Sequence, residues 1–120
     1  MPKKILIVDD DPIMLKWAST FLASHGYEVI CADRGKTAFE KIKQEDPDLI
    51  LLDILMPGMD GYEVCNKLRS DSAAKQIPII FLTVKDKEID DTINEKLNIE
   101  YVQKPPNQKL LLEKISKLLS

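Results

Sequence analysis

With 120 residues and 44% hydrophobic content, the chain has the material for one domain with an ordinary core. A formal net charge of −3 provides no basic face for gripping nucleic acid phosphates, and no apolar run approaches the roughly 20 residues of a bilayer span. "MPKK" leads directly into an apolar run without room for a signal peptide. Cys31 and Cys65 lie far apart and form no CxxC or metal-ligand spacing, so two reduced, packed thiols in a cytoplasmic protein are expected. There is no internal repeat, linker or low-complexity segment, and residues 1–120 read as a single domain.

The first element is Lys4–Val8, a continuous apolar run of the kind that suits a strand buried on both faces of a parallel sheet. It runs straight into Asp9, Asp10, Asp11 and Pro12. Asp11 can cap a helix whose first position is Pro12, where the missing N–H costs nothing. Met14, Leu15, Ala18, Phe21 and Leu22 then recur at helical spacing, and Gly26 closes the helix. Glu28–Ala32 reads as the second strand. The next helix, about Lys36 to Gln44, turns Ala38, Phe39 and Ile42 inward and stops before Pro47. Leu49–Leu52 is the third strand, followed at once by Asp53. Pro57-Gly58 and Asp60-Gly61 are turn chemistry ahead of a third helix, Gly61 to Arg69, with Val64 and Leu68 inward. Ile79–Leu82 is the fourth strand and delivers Thr83. A charged helix from Lys87 to Leu97 is apolar only at Ile89, Ile93 and Leu97. A weaker fifth strand, Ile99–Val102, is followed by Lys104. Asn107 caps a last helix with Leu111, Ile115, Leu118 and Leu119 as its buried stripe.

This alternation predicts an open, doubly wound α/β sheet of five parallel strands and five helices. Right-handed crossovers put helices on both faces, and the working site lies beyond the carboxyl ends of the strands. Asp9, Asp10 and Asp53 converge there if the first and third strands are neighbours. Three carboxylates in one pocket need a counter-charge, which Lys104 or a hard divalent cation such as Mg²⁺ can supply. Thr83 adds a hydroxyl at the same edge. Asp11 is read as a cap, and Tyr101 taken alone as a packed aromatic.

The segments "ILIVDDDP", "DLILLDILMPGMDGYEV", "IPIIFLTVKD" and "YVQKPP", in that order, resemble a response-regulator receiver domain of two-component signalling along the whole chain. The resemblance implies a flavodoxin-like fold with strand order 2-1-3-4-5. It also implies a phosphorylation-activated switch rather than an enzyme. Asp53 is then the phosphoryl acceptor, Asp10 a direct Mg²⁺ ligand, Asp9 a ligand acting through water, and the Leu55 carbonyl the remaining protein ligand. Thr83 would bond a phosphoryl oxygen, and Lys104 would pair with that group or, before transfer, with Asp53. Lys104–Pro105 is expected to be cis, and Tyr101 stands at the family's aromatic switch position, expected to turn inward on phosphorylation. The implied partners are a sensor histidine kinase or histidine phosphotransfer protein, and a downstream protein or output domain met by the surface of the fourth helix, fifth strand and fifth helix. Neither nucleic acid nor membrane is an expected direct partner. The ending "KISKLLS" reads as a natural terminus, so a stand-alone regulator is expected.

Three departures from the family pattern stand out. Val84 replaces a small residue, Pro106 follows Pro105 where an apolar or aromatic side chain is usual, and "KLNIEY" replaces a Gly-Ala turn, with Asn98 able to take the left-handed conformation. Leu55 and Lys85 should flank the approach of a hydrolytic water, which predicts a long-lived phosphoryl group. The rival reading is a haloacid-dehalogenase-like phosphatase using Asp9 and Asp11 as its Asp-x-Asp pair, for which Pro12 and Ile13 are poor continuations.

Overall fold

The computed structural model describes residues 2–54, 56, 58, 60–70, 77–83 and 99–120, with Thr83 described through its backbone. These residues form five strands, β1 (Lys4–Val8), β2 (Glu28–Ala32), β3 (Leu49–Asp53), β4 (Ile79–Thr83) and β5 (Ile99–Gln103). Among the described residues there are four helices: α1 (Pro12–Ser24), α2 (Gly35–Glu45), α3 (Gly61–Ser70) and α4 (Gln108–Leu119). All strand pairs are parallel, in the order β2-β1-β3-β4-β5. The charged helix expected over Lys87–Leu97 lies outside the described residues, so four helices rather than five are seen.

Alternation along the strands sorts the core into two layers. Ile5, Ile7, Leu49, Leu51, Ile80, Leu82 and Val102 face Ala18 and Leu22 of α1 and Leu111 and Ile115 of α4. Leu6, Val8, Ile50, Leu52, Ile79, Phe81 and Ile99 face Ala38 and Ile42 of α2 and Val64, Cys65 and Leu68 of α3. Each such fully buried aliphatic side chain contributes about 1.5–3 kcal/mol.

The caps follow the expected chemistry. Asp11 accepts from the Ile13 N–H and Asn107 from the Leu110 N–H, both at 2.9 Å. Asp60 accepts from the Glu63 N–H at 2.9 Å, tying down the start of α3. Gly26, at φ 90°, turns the chain out of α1 in the left-handed region that glycine tolerates. Leu118 and Leu119 are only partly buried, though packed against the same layer. Of the two cysteines, only one differs from expectation. Cys65 is packed in the core, but Cys31 is exposed, on β2, the strand at the edge of the sheet among the described residues.

Candidate functional site

Strand order brings the acids together. Val8 pairs with Leu52, so the chain leaves both strands side by side, at the point where strand order reverses between β1 and β3. The Asp9 N–H donates to the Ala32 carbonyl at 3.1 Å, which holds the chain one residue beyond β1. Asp9 is fully buried and Asp53 is 5% exposed, whereas Asp10 points to solvent. One carboxylate oxygen from each of Asp9, Asp10 and Asp53 lies within 4.8 Å of the others.

Lys104 is the cation that faces them. Its Nζ donates to Asp9 Oδ2 at 2.9 Å and stands 3.3 Å from Asp53 Oδ1. Asp9 Oδ1 accepts from the Asp11 N–H at 3.0 Å, so both Asp9 oxygens are engaged. The expected Lys104–Asp53 pairing therefore forms, but the shorter bond goes to Asp9. Sequence reasoning missed this, although a signal was present. Asp9 and Asp53 follow paired strand ends at equivalent positions, so an ammonium that reaches one can reach the other. Lys104 directly follows β5, at the edge of the sheet, and is joined to Pro105 by a cis peptide bond.

The charge balance is incomplete. Burial raises the Asp53 carboxyl, Asp9 beside it raises it further, and Lys104 only partly opposes them, leaving the pKa at about 6. Burial by itself would lower the Lys104 ammonium, but Asp9 and Asp53 outweigh it and hold it above its ordinary value. One ammonium thus serves two buried carboxylates and a third at the rim. Oxygens bound to one Mg²⁺ at about 2.1 Å cannot be more than about 4.2 Å apart. The observed grouping needs only small side-chain rotations to reach that span, and its all-oxygen donors suit a hard cation. The residues fit the metal.

The other expected residues divide. The backbone of Thr83 ends β4 at the same edge, one position past the Asp53–Leu82 pair. Leu55, Val84, Lys85 and Asn98 lie outside the described residues, as does the Thr83 side chain. Asp11 is exposed and spends Oδ1 on capping α1, so the Asp9–Asp11 pair of the phosphatase reading does not converge on a common site. Tyr101 is packed, as the residue taken alone suggests: its ring is half-buried and stacked on Phe81 with centroids 5.2 Å apart. Burial, followed by the electrostatic effect of the neighbouring Tyr62 phenol, raises its phenol above the ordinary value. Sequence reasoning overlooked Tyr62, whose only sequence signal is an aromatic side chain just after the Asp60-Gly61 helix start.

The family pattern described as "Response regulator receiver domain" matches residues 5–116. The chain is 35% identical over 118 residues to protein PilH of Pseudomonas aeruginosa, covering 98% of each. Its structure is similar to that of the chemotaxis protein CheY4 of Vibrio cholerae, with a TM-score of 0.88 and 30% identity, covering 99% of this chain and 100% of that one. It is also similar to the BeF3-activated N-terminal receiver domain of Klebsiella pneumoniae RstA, with a TM-score of 0.84 and 34% identity over 98% of each chain. These likenesses give no support to the phosphatase reading. With its parallel sheet in the order 2-1-3-4-5 and its acids gathered at the strand ends, the chain belongs to the response regulator receiver domains, the phosphorylation-activated switches of two-component signalling.

Proposed function

We propose that Asp53 is the phosphoryl acceptor and that residues 1–120 act as one receiver unit in the cytoplasm. The observation that carries this reading is the Asp53 carboxylate itself. It is buried at the end of β3, grouped with Asp9 and Asp10, and lies 3.3 Å from the only lysine that reaches into the group among the described residues. An Asp53 oxygen attacks phosphorus, the P–N bond of a donor phosphohistidine breaks, and its electron pair stays on the imidazole nitrogen. Each chain takes up one phosphoryl group per transfer and is left as an acyl phosphate at Asp53.

Positioning and electrostatics carry such a transfer, because the protein has little covalent chemistry to supply beyond the nucleophile. Asp10, Asp53 and the Leu55 carbonyl would hold Mg²⁺ directly, with Asp9 acting through water. The metal would offset the charge of the arriving phosphoryl oxygens. Lys104 would leave Asp9 free to orient that ligand set by swinging toward the phosphoryl group, and Thr83 would be the hydroxyl donor to another phosphoryl oxygen.

The donor would be a histidine kinase or histidine phosphotransfer protein, approaching over α1. There, Ile13 is 79% exposed, and two apolar grooves of about 520 and 390 Å³ share Ile13 and Trp17. The smaller groove also touches Pro105 and Pro106, next to Lys104. The output would be read by a protein partner or linked domain at the face that includes Tyr101, without direct contact to nucleic acid or membrane.

Mass spectrometry after incubation with acetyl phosphate tests the acceptor. One added phosphoryl group in the presence of Mg²⁺ is expected, and none in EDTA or in Asp53→Ala. Full labelling of Asp53→Ala would overturn the assignment.

A further inference from the structure

Two consecutive residues at the start of α3 touch the acceptor at one end and the aromatic switch position at the other. A Cβ on Gly61 would stand 2.5 Å from the Asp53 carbonyl oxygen, 2.9 Å from Ile54 Cα and 3.1 Å from the Asp53 carbonyl carbon. These are backbone atoms, which cannot swing aside as the tip of a side chain can. The Gly61 N–H also donates to the Ile54 carbonyl at 2.8 Å. The first residue of α3 therefore rests on the acceptor's own peptide, and only glycine permits the approach.

Tyr62 follows. Its ring lies 5.1 Å from Phe81 at 48°, and Phe81 lies 5.2 Å from Tyr101 at 27°. Phe81 is 1% exposed and pairs with Tyr101 across β4 and β5, so the buried ring is flanked by two tyrosines. Burial first, and then the neighbouring Tyr62 phenol, hold the Tyr101 phenol above its ordinary value.

We propose that Tyr62 is a positioning residue that holds the Tyr101 ring against Phe81 in the resting protein and, through Gly61, ties the state of that ring to the Asp53 peptide. The inference rests on the reading of Asp53 as acceptor only for its coupling half. The resting arrangement stands without it. A displacement of the Asp53–Ile54 peptide moves Gly61, because no slack separates them, and Tyr62 moves with the first turn of α3. This contact path does not pass through Thr83.

The test uses the full chain with ¹³C at the ring ε carbons of tyrosine. The chain has three tyrosines, and loss of a signal in Tyr101→Phe assigns the one that matters. Tyr62→Phe removes one hydroxyl and keeps the ring on Phe81. In the resting protein it is expected to shift or broaden the Tyr101 signal. With Mg²⁺ and beryllofluoride, the Tyr101 response is expected to fall by at least half, while acetyl phosphate still labels the variant at the wild-type rate. Gly61→Ala is expected to slow labelling at least tenfold and to disturb the same signal. A Tyr101 signal that neither moves at rest nor loses its response in Tyr62→Phe would overturn the proposal, and this arm decides alone should Gly61→Ala not fold. Failure of wild-type chain to label or to respond to beryllofluoride would instead count against the acceptor reading, leaving the resting shift as the separate measure of Tyr62.

Discussion

The sheet carries a lysine set between two acids at each end, and the two settings differ in burial. At the amino end, Lys4 Nζ lies 3.3 Å from Glu28 and 3.5 Å from Glu45, with those acidic side chains 53% and 39% exposed. At the carboxyl end, Lys104 lies 2.9 Å from Asp9 and 3.3 Å from Asp53, whose side chains are 0% and 7% exposed. The distances are nearly equal. Water screens the first cluster, which adds little to stability, whereas the second holds an excess negative charge where water is scarce. Equivalent spacing thus serves attachment in one place and stored electrostatic tension in the other, and an arriving cation can relieve only the second.

The largest expected contrast is chemical. Asp53→Asn should lose more than a hundredfold in labelling by acetyl phosphate, because an amide oxygen is a far weaker nucleophile than a carboxylate and both oxygens of Asp9, the other buried acid, are already engaged. Glu45→Gln at the other end should label as wild type does. Mass spectrometry of both variants under one protocol checks this, and equal loss in the two would erase the distinction between the ends.

Next in size is the loss of the cation. Lys104→Met leaves Asp9 and Asp53 buried without an ammonium, and removing one partner of a buried pair costs about 3–5 kcal/mol before any relaxation. Proton uptake by Asp53 would recover part of this, so a net loss of about 2–3 kcal/mol is expected in urea unfolding at pH 8, and less at pH 5. A variant as stable as wild type at pH 8 would show that Lys104 carries little of the local charge balance.

Neutralising Asp53 should act in the opposite direction. Asp53→Asn leaves Lys104 with Asp9 as a balanced pair and should gain about 1–3 kcal/mol in EDTA at pH 8. The gain has a pH signature. The folded-state pKa of Asp53 is raised to about 6, so the folded chain holds this proton more tightly than the unfolded chain does. Its contribution to stability is complete below the unfolded value of about 4 and is lost as pH rises through about 6. The difference between Asp53→Asn and wild type should accordingly widen over that interval and level off above it. A constant difference from pH 4 to 8 would show that Asp53 does not titrate there.

Much of this was legible before the structure. The five strands and the four described helices stand within one residue of their expected bounds, because apolar runs, Pro12, Gly26, Asp60-Gly61 and Asn107 all act locally. Asp9, Asp10, Asp53 and Lys104 could be read as one group because each directly follows a strand or lies just beyond one. What escaped were relations between elements. The preference of Lys104 for Asp9, the closeness of Gly61 to the Asp53 carbonyl and the pairing of Tyr62 with Tyr101 depend on how far one element leans over another. Residue type and period carry no information about that. The exposed Cys31 escaped for a related reason, since an apolar strand reads the same at an edge as in the middle of a sheet.

The smallest effect belongs to Lys4, and salt distinguishes it from Lys104. Lys4 Nζ donates to the Glu45 carbonyl at 3.0 Å as well as facing Glu28 and Glu45, so it closes the carboxyl end of α2 as much as it forms ion pairs. Charges this exposed are screened within a Debye length of about 10 Å at 0.1 M salt and about 3 Å at 1 M. Lys4→Met should therefore lower the unfolding midpoint only slightly in dilute buffer, and the deficit should shrink as salt is added. The deficit of Lys104→Met should persist in 1 M NaCl, because the carboxylates it abandons are shielded from ions by the same burial that shields them from water. Thermal melts of both variants across a salt series would measure this. If the Lys104→Met deficit faded with salt as fast as that of Lys4→Met, the acids at the carboxyl edge would be as well solvated as those at the amino edge, and the contrast between the two lysines would collapse.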